Sequence, residues 1–100
     1  MIKHVVMWKF LEEAEGNTKS ENLKIFKEGL EALVPIIPEL KSLEVGLDIL
    51  GANGSYDMIL ITTFDSMADL VTYNNHPEHQ KVAGFCAKVR ESRVAVDFSF

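Results

Sequence analysis

The amino-acid sequence predicts an α+β protein of the ferredoxin-like class, in which a four-stranded antiparallel sheet carries helices on one face. The strand and helix signals follow the order β-α-β-β-α-α-β, which suits this arrangement. Two strands are apolar on both of their faces, so both faces of the sheet must be covered. Residues 1–100 amount to one small domain, which cannot cover the second sheet face alone. A twofold homodimer with its sheets face to face is therefore predicted.

The first strand is predicted over residues 2–10. One face of this strand carries Ile2, His4, Val6, Trp8 and Phe10. The opposite face has Val5 and Met7 at its centre and Lys3 and Lys9 at its ends. Both faces are apolar in the middle, which indicates a central strand that is covered on both sides.

A helix is predicted to begin at Thr18, which can form a capping box with Glu21 three residues later. The apolar residues that follow recur at helical spacing and form one stripe. They are Leu23, Phe26, Leu30, Leu33 and Ile37. Pro35 and Pro38 stop the helix, because proline lacks the backbone donor and crowds the preceding turn.

Two strands joined by a hairpin are predicted next. Residues 43–50 alternate apolar and polar side chains, which is typical of a half-exposed edge strand. Its apolar set is Leu43, Val45, Leu47 and Ile49. Asn53-Gly54 forms a hairpin turn that tolerates positive φ. Residues 56–64 form the third strand, which is apolar on both faces in its middle.

The last third of the chain contains two predicted helices and a strand. Ser66 caps a short helix that ends near Tyr73. Pro77 suits the first position of the next helix, because its missing N–H is not needed there. That helix has an apolar stripe of Val82, Phe85, Cys86 and Val89. A fourth strand over residues 93–100 places four apolar side chains on one face, namely Val94, Val96, Phe98 and Phe100.

The charge and the cysteine content argue against several classes of protein. Fifteen acidic residues against ten basic ones give a net charge of −5, which disfavours binding to nucleic acid or to an anionic membrane surface. The single cysteine, Cys86, excludes an intramolecular disulfide and suits a reducing compartment. No apolar run approaches the ~20 residues of a membrane helix, and residues 1–10 lack a signal-peptide pattern. The expected location is the cytoplasm.

His79 is the best candidate for a catalytic residue. It lies two residues after Pro77, and its spacing to Val82 and Cys86 places it on the buried stripe of its helix. The helix N-terminus and burial both disfavour the imidazolium, so a neutral imidazole that faces a cavity is a usable general base. The alternative is a half-buried histidine that only hydrogen-bonds the backbone.

Three further residues accompany His79. Tyr73 lies three residues after Leu70 at the end of the preceding helix, and its hydroxyl is either a donor to a substrate carbonyl or enolate, or a satisfied core hydroxyl. His4 lies on an apolar strand face and becomes a site residue only if it converges with His79 and Tyr73. His76 is expected to cap its helix or to face solvent.

The sequence predicts neither a metal nor a cofactor. His76 and His79 are three residues apart, but no acidic or thiol partner completes a metal site. Cys86 fits the role of a small core residue. No glycine-rich phosphate loop follows a strand, and no G-x-S-x-G nucleophile motif is present.

Three segments of the chain resemble the stress-responsive α/β-barrel family, called Dabb. They are the opening IKHVVMWKF, the middle segment TTFDSMADLVTYNNHPEHQKV with its Y-x-x-H-P-x-H pattern, and the ending SRVAVDFSF. The resemblance covers essentially the whole chain. It implies ferredoxin-like protomers that pair into dimeric α/β barrels, in agreement with the two-faced strands.

One plant member of that family is a polyketide cyclase that closes a linear chain by intramolecular aldol condensation without a cofactor. The resemblance implies that His79 is the catalytic histidine, that Tyr73 supports it and that His4 is a further active-site histidine. It also implies a cavity between sheet and helices that these three residues line. The residues that shape the alkyl pocket of that cyclase do not align, so its substrate does not carry over.

Three functions stay open from the sequence. The first is a cofactor-independent enzyme of the cyclase or lyase type, or a binder, for a small hydrophobic carbonyl compound, with His79 as general base. The second is a non-enzymatic, stress-associated dimer that scaffolds or binds a hydrophobic ligand, in which Trp8 and Phe26 would fill the cavity. The third rests on fold analogy alone and is a cofactor-free or haem-degrading monooxygenase.

Overall fold

The computed structural model describes all 100 residues, and it confirms the predicted ferredoxin-like architecture. The elements are β1 (Ile2–Phe10), β2 (Glu13–Ala14), β3 (Asn17–Thr18), α1 (Lys19–Glu31), β4 (Ser42–Leu47), β5 (Met58–Phe64), α2 (Met67–Asn75), α3 (Pro77–Val89) and β6 (Arg90–Ser99). Four strands form one antiparallel sheet in the order β4-β5-β1-β6. This order places β1 in the interior of the sheet, as predicted. No helix has the length and apolar character needed to cross a bilayer.

The small hairpin of β2 and β3 was not predicted, because each strand has only two residues. Its turn contains Glu15 and Gly16, both with positive φ. The fully buried Asn22 of α1 holds it in place, since the Asn22 amide donates to the Ala14 carbonyl at 3.0 Å and accepts from the Asn17 amide at 3.2 Å. These bonds satisfy a buried polar side chain and anchor the start of α1 to the loop before it.

Helix α1 begins as predicted but ends earlier than its apolar stripe. The capping box is present: the Glu21 amide donates to Thr18 Oγ1, and the Thr18 amide donates to the Glu21 carboxylate. The helix ends at Glu31, ahead of the first proline. Leu33 and Ile37 are both buried, although they lie in the turns that follow. Their spacing therefore predicted burial correctly but overestimated the length of the helix.

Strand β4 is shorter than predicted. It ends at Leu47, because the Asp48 carboxylate accepts the Gly51 amide at 2.8 Å and turns the chain away from the sheet. Ile49, predicted to share the inward face of this strand, is fully exposed, so that part of the prediction is wrong. Gly54 adopts φ 91° in the turn before β5, which agrees with the turn signal in the sequence.

The helices pack against one face of the sheet and form the core there. His4, Val6, Trp8 and Phe10 of β1 all point to this face and are buried. They pair with alternate residues of β5, which are buried as well. The buried apolar side chains from the helices and the following turns include Phe26, Leu30, Leu33, Ile37, Leu70, Tyr73, Cys86 and Val89.

The other face of the sheet carries an uncovered row of apolar side chains. Val5 pairs with Ile61 of β5 on one side and with Val96 of β6 on the other, so the three lie abreast across the sheet. Met7 and Val96 are 37% and 64% exposed. A contiguous apolar surface of this kind marks a site of protein association. The protomer therefore has the bare apolar face that the sequence predicts.

Helices α2 and α3 meet at a sharp junction. Their only connecting residue is His76, whose extended backbone ends α2 and begins α3. The His76 Nδ1 accepts the Glu78 amide at 3.1 Å, so the predicted cap is confirmed. Pro77 occupies the first turn of α3, also as predicted. Strand β6 begins directly after α3, at Arg90 and not at residue 93, and runs antiparallel to β1 along the sheet edge.

Candidate active site

A cavity of about 100 Å³ lies between the sheet and the helices α1 and α3. Its apolar wall is formed mainly by Val6, Trp8, Phe26, Leu30, Leu60 and Val82. The polar side chains that line it are His4, Asn74, His79, Arg90 and Arg93. Three of these polar residues, Asn74, Arg90 and Arg93, are exposed and mark the side on which the cavity meets solvent. The arrangement is that of a small-molecule site, with apolar walls and a few convergent polar groups.

His79 lies on the cavity wall in the first turn of α3, and a backbone hydrogen bond selects its tautomer. Its Nδ1 lies 3.2 Å from the carbonyl oxygen of Asn74 in the last turn of α2. A carbonyl can only accept, so Nδ1 carries the proton and Nε2 keeps its lone pair. The sharp junction at His76 explains this contact, because it brings the last turn of α2 beside the first turn of α3. Nε2 is therefore the ring nitrogen that is available to accept a proton.

The surroundings of His79 favour its neutral form. Burial lowers the pKa of His79 below its ordinary value of 6.5, and the neighbouring basic side chains His4, Arg93 and His76 act in the same direction. The hydrogen bond to the Asn74 carbonyl acts in the opposite direction and is outweighed. A histidine that is neutral near pH 7 and lines a cavity meets the basic requirements for a general base.

His4 lies in the same cavity and has an acidic partner. It is buried in the middle of the sheet, and its Nδ1 hydrogen-bonds the carboxylate of Asp97. The two residues are directly opposite each other in the ladder between β1 and β6. An imidazole whose Nδ1–H is held by a carboxylate has a fixed orientation and presents its Nε2.

Asp97 was not among the residues singled out from the sequence. The alternation of β6 places Val96 and Phe98 on the open face of the sheet and Asp97 on the helix face. The signal that could have found it is the pairing of first and last strands, which sets position 97 opposite position 4. That register is set by tertiary pairing and cannot be read from either strand alone.

Tyr73 contacts His79 but is not among the residues that line the cavity. Its ring centroid lies 4.3 Å from that of His79 and 5.1 Å from that of Phe64. The side chain is fully buried, its hydroxyl has no hydrogen-bond partner, and burial raises its pKa above the ordinary value. The structure thus brings His4 and His79 to one cavity and places Tyr73 behind His79.

Two further side chains that line the cavity, Trp8 and Cys86, carry a polar group. The indole Nε1–H of Trp8 is buried and has no partner in the protein. Burial raises the pKa of the Cys86 thiol to about 11, as expected of a core cysteine. No group of three or more histidine, cysteine or acidic side chains is arranged to hold a metal ion.

Trp8 and Phe26 form part of the wall but do not fill the cavity. Their rings meet edge to face, with centroids 4.8 Å apart. The space that remains, about 100 Å³, is somewhat smaller than the ~150 Å³ cavity known to bind benzene. A ligand of a few heavy atoms fits without displacement of these rings.

Comparison with known proteins gives a family and a set of similar folds. The model of the stress responsive A/B barrel domain family, Dabb, matches residues 2–100. Among curated proteins no match was found.

Several solved structures are similar to this chain over almost its whole length. A dimeric protein of unknown function with a ferredoxin-like fold from Bacteroides fragilis is 32% identical, over 99% of this chain and 95% of its own, with a TM-score of 0.83. A dimeric ferredoxin-like protein of unknown function from Thermobifida fusca is 27% identical, over 99% of this chain and 90% of its own, with a TM-score of 0.84. The hydroxynitrile lyase of Passiflora edulis shares the fold at 18% identity, over 97% of this chain and 90% of its own, with a TM-score of 0.78.

Proposed function

Because this chain belongs to the stress responsive A/B barrel domain family, we propose that it pairs into a homodimer and that each protomer is a cofactor-independent enzyme acting on a small carbonyl compound. The apolar sheet face and the dimeric relatives support the pairing. One observation carries the enzymatic proposal: a histidine that is neutral near pH 7, with its Nε2 free, lines an open cavity.

The proposed chemical step is the removal of a proton from the carbon next to the carbonyl group. The lone pair of His79 Nε2 takes the proton, and the electron pair of the broken C–H bond forms the C=C bond of an enolate. The negative charge then lies on the former carbonyl oxygen, and His79 becomes an imidazolium. Return of the proton to the enolate carbon restores the carbonyl compound, as in α-proton exchange. Attack of the enolate carbon on a second carbonyl group of the same molecule instead forms a C–C bond, and the alkoxide so formed takes the proton from the His79 imidazolium, which completes a cyclase-type reaction. The reverse of this step, in which the C–C bond breaks, is a lyase-type reaction.

His4 and Tyr73 have supporting roles in this proposal. His4 contacts the ligand through Nε2, and Asp97 fixes the orientation of its ring. Tyr73 is a positioning residue, because its ring packs against His79 inside the protein. The donor role of the Tyr73 hydroxyl toward an enolate stays a prediction, and it requires a ligand that reaches past the present cavity wall.

The cavity volume restricts the substrate to small molecules. About 100 Å³ is enough for the reacting part of a carbonyl compound but not for an extended polyketide chain. The likeness to the Passiflora hydroxynitrile lyase is compatible with membership of the lyase class, but its 18% identity supports the fold only. The proposed location remains the cytoplasm.

Deuterium exchange tests this function without knowledge of the natural substrate. Small carbonyl compounds such as pyruvamide, pyruvate and butanone are incubated in D2O, and loss of the α-proton signal is followed by NMR. The protein is expected to accelerate exchange for at least one of them, and His79→Gln is expected to reduce that rate by about 10²- to 10⁴-fold. A protein that exchanges none of the compounds, or a His79→Gln variant with full activity, would contradict the proposal.

His76→Asn is the matched control for this experiment. His76 caps α3 through its Nδ1 and does not line the cavity, and asparagine is itself a good cap. Its exchange rate is expected to equal that of the parent. A loss equal to that of His79→Gln would mean that the helix junction, and not the base, determines the rate.

A second candidate is a non-enzymatic dimer that binds a small hydrophobic ligand. The apolar walls around Trp8 and Phe26 favour it. It predicts that apolar molecules without a carbonyl group bind as well as carbonyl compounds, and that no α-proton exchanges. The same NMR samples therefore distinguish the two candidates.

A further inference from the structure

Both arginines of the chain line the same cavity. The sequence contains only Arg90 and Arg93 among its ten basic residues, and both lie at the exposed side of the His79 cavity. Neither guanidinium forms a salt bridge or a side-chain hydrogen bond within the protein, whereas His4 and three of the lysines have acidic partners. Two unpaired guanidinium groups thus flank the opening of the cavity.

The charge of the cavity wall is opposite to that of the whole protein. The chain has a net charge of −5, yet no aspartate, glutamate or lysine lines the cavity. The carboxylate of Asp97, on the same sheet face, hydrogen-bonds His4. Arg90 and Arg93 are therefore free to bind an anion from solvent, and guanidinium groups suit a planar carboxylate in particular.

A second polar group without a partner belongs to a side chain that lines the cavity. Trp8 is only 4% exposed, it lines the cavity, and its buried Nε1–H makes no hydrogen bond. A buried donor without an acceptor is unfavourable by about 1–3 kcal/mol in proteins, so such groups usually have a protein, water or ligand partner. A ligand oxygen that reaches Trp8 would satisfy this donor.

We propose that the substrate is a small organic carboxylate, namely an oxo acid. Its carboxylate binds Arg93 and Arg90 at the mouth of the cavity, and its oxo group enters the cavity toward Trp8. This inference rests on the proposed function, because it specifies the substrate class of the same site. The cavity volume of about 100 Å³ fits a short oxo acid. The carboxylate end stays near solvent, and the carbon next to the carbonyl group lies in the cavity that His79 lines.

The test compares pyruvate with pyruvamide, which differs only by an amide in place of the carboxylate. The chain has a single tryptophan, so the indole N–H signal of Trp8 reports binding directly and independently of turnover. Pyruvate is expected to shift this signal. It is also expected to bind about tenfold more tightly than pyruvamide, because a charge-assisted hydrogen bond at a solvent-exposed site strengthens binding by about this factor. Raising the salt concentration should weaken pyruvate binding only.

Variants locate the effect. Arg93→Gln is expected to remove the preference for pyruvate, and Arg90→Gln to reduce it. Lys88→Gln removes the same charge from the exposed end of α3, outside the cavity lining, and should leave the preference intact. Equal binding of both compounds to the parent protein, a preference that survives in Arg93→Gln, or no shift of the Trp8 signal by either compound would overturn the inference.

The two proposals fail in different ways. Binding of pyruvate with the expected preference but without α-proton exchange would overturn the enzymatic function and leave the carboxylate site. Exchange of pyruvamide and pyruvate with equal half-saturation concentrations would leave the function and overturn the carboxylate site.

Discussion

The ring of Tyr73 lies 4.3 Å from the imidazole of His79, and its hydroxyl is buried without a hydrogen-bond partner. The contact shields one side of the imidazole from water. Together with the bond from His79 Nδ1 to the Asn74 carbonyl, it holds the ring in one orientation and one tautomer. The same burial that disfavours the imidazolium therefore also prepares Nε2 to accept a proton.

Removal of the Tyr73 hydroxyl is expected to leave the protein at least as stable. An unpaired buried hydroxyl is unfavourable by about 1–3 kcal/mol, so Tyr73→Phe should keep or raise the free energy of unfolding. Tyr73→Leu, which removes the ring, should lower it by about 1–3 kcal/mol. Urea denaturation measures both.

The exchange assay on the same variants separates the two roles of Tyr73. If the ring acts only by positioning His79, Tyr73→Phe keeps its exchange rate and Tyr73→Leu loses part of it. A large loss in Tyr73→Phe with unchanged stability would instead identify the hydroxyl as a donor to the substrate.

The free energy of unfolding should fall as the pH is lowered below 6.5, and His79 should be one cause. Burial makes the folded pKa of His79 lower than its unfolded value, so the unfolded chain binds more protons in the window between them. The contribution of neutral His79 to the free energy of unfolding is fully present above pH 6.5, and it is lost as the pH falls through the pKa of His79 in the folded protein. The free energy of unfolding, measured by denaturation at several pH values from about pH 8 to pH 5, is expected to depend less steeply on pH for His79→Gln than for the parent. The same pH dependence in both proteins would contradict the lowered pKa of His79.

Loss of the Asp97 carboxylate is expected to affect the protein more than loss of an exposed carboxylate. Asp97→Ala leaves the Nδ1–H of the buried His4 without a partner and should lower the free energy of unfolding by about 1–2 kcal/mol. Asp65→Ala is the control, because the Asp65–Lys41 pair is exposed and should contribute about 0–1 kcal/mol. A loss for Asp97→Ala no larger than that for Asp65→Ala would contradict this prediction.

A charge on the open sheet face is expected to break the proposed dimer. Val96→Asp places a carboxylate in the row that Ile61 and Val5 complete, where burial of an unpaired charge is strongly unfavourable. The dissociation constant should rise by more than about a hundredfold in analytical ultracentrifugation. Val71→Asp makes the same exchange at an exposed position of α2, in the helix layer, and should not change the assembly. A Val96→Asp variant that remains dimeric would exclude this face as the interface.

Much of the fold could be predicted from local patterns. The two-faced apolar pattern of residues 2–10 identified a central strand, and the capping box at Thr18 and Pro77 marked two helix starts. These signals are local because each depends on the backbone within a few residues. The end of β4 was missed for a local reason too: the turn formed by Asp48 and Gly51 outweighs the apolar alternation that continues to Ile49.

The site was less predictable, because its geometry depends on tertiary contacts. Spacing placed His79 on the inner side of α3, and the structure puts it on the cavity wall. The partner of His4 depends on the register between the first and last strands, and the position of Arg93 at the cavity depends on the same pairing. Likewise, only the packing of α2 against α3 reveals that Tyr73 reaches the ring of His79 and stops short of the cavity.

The three histidines of the chain allow the most direct test of the proposed base. Nitrogen-15 NMR of the imidazoles at pH 7, with and without pyruvate, reports the tautomer and the ligand contact of each ring. We expect His79 to be neutral with its proton on Nδ1, and its Nε2 signal and that of His4 to shift on addition of pyruvate, while His76 stays unchanged. A His79 that is protonated at Nε2, or that does not respond while His76 does, would contradict the assignment of His79 as the base.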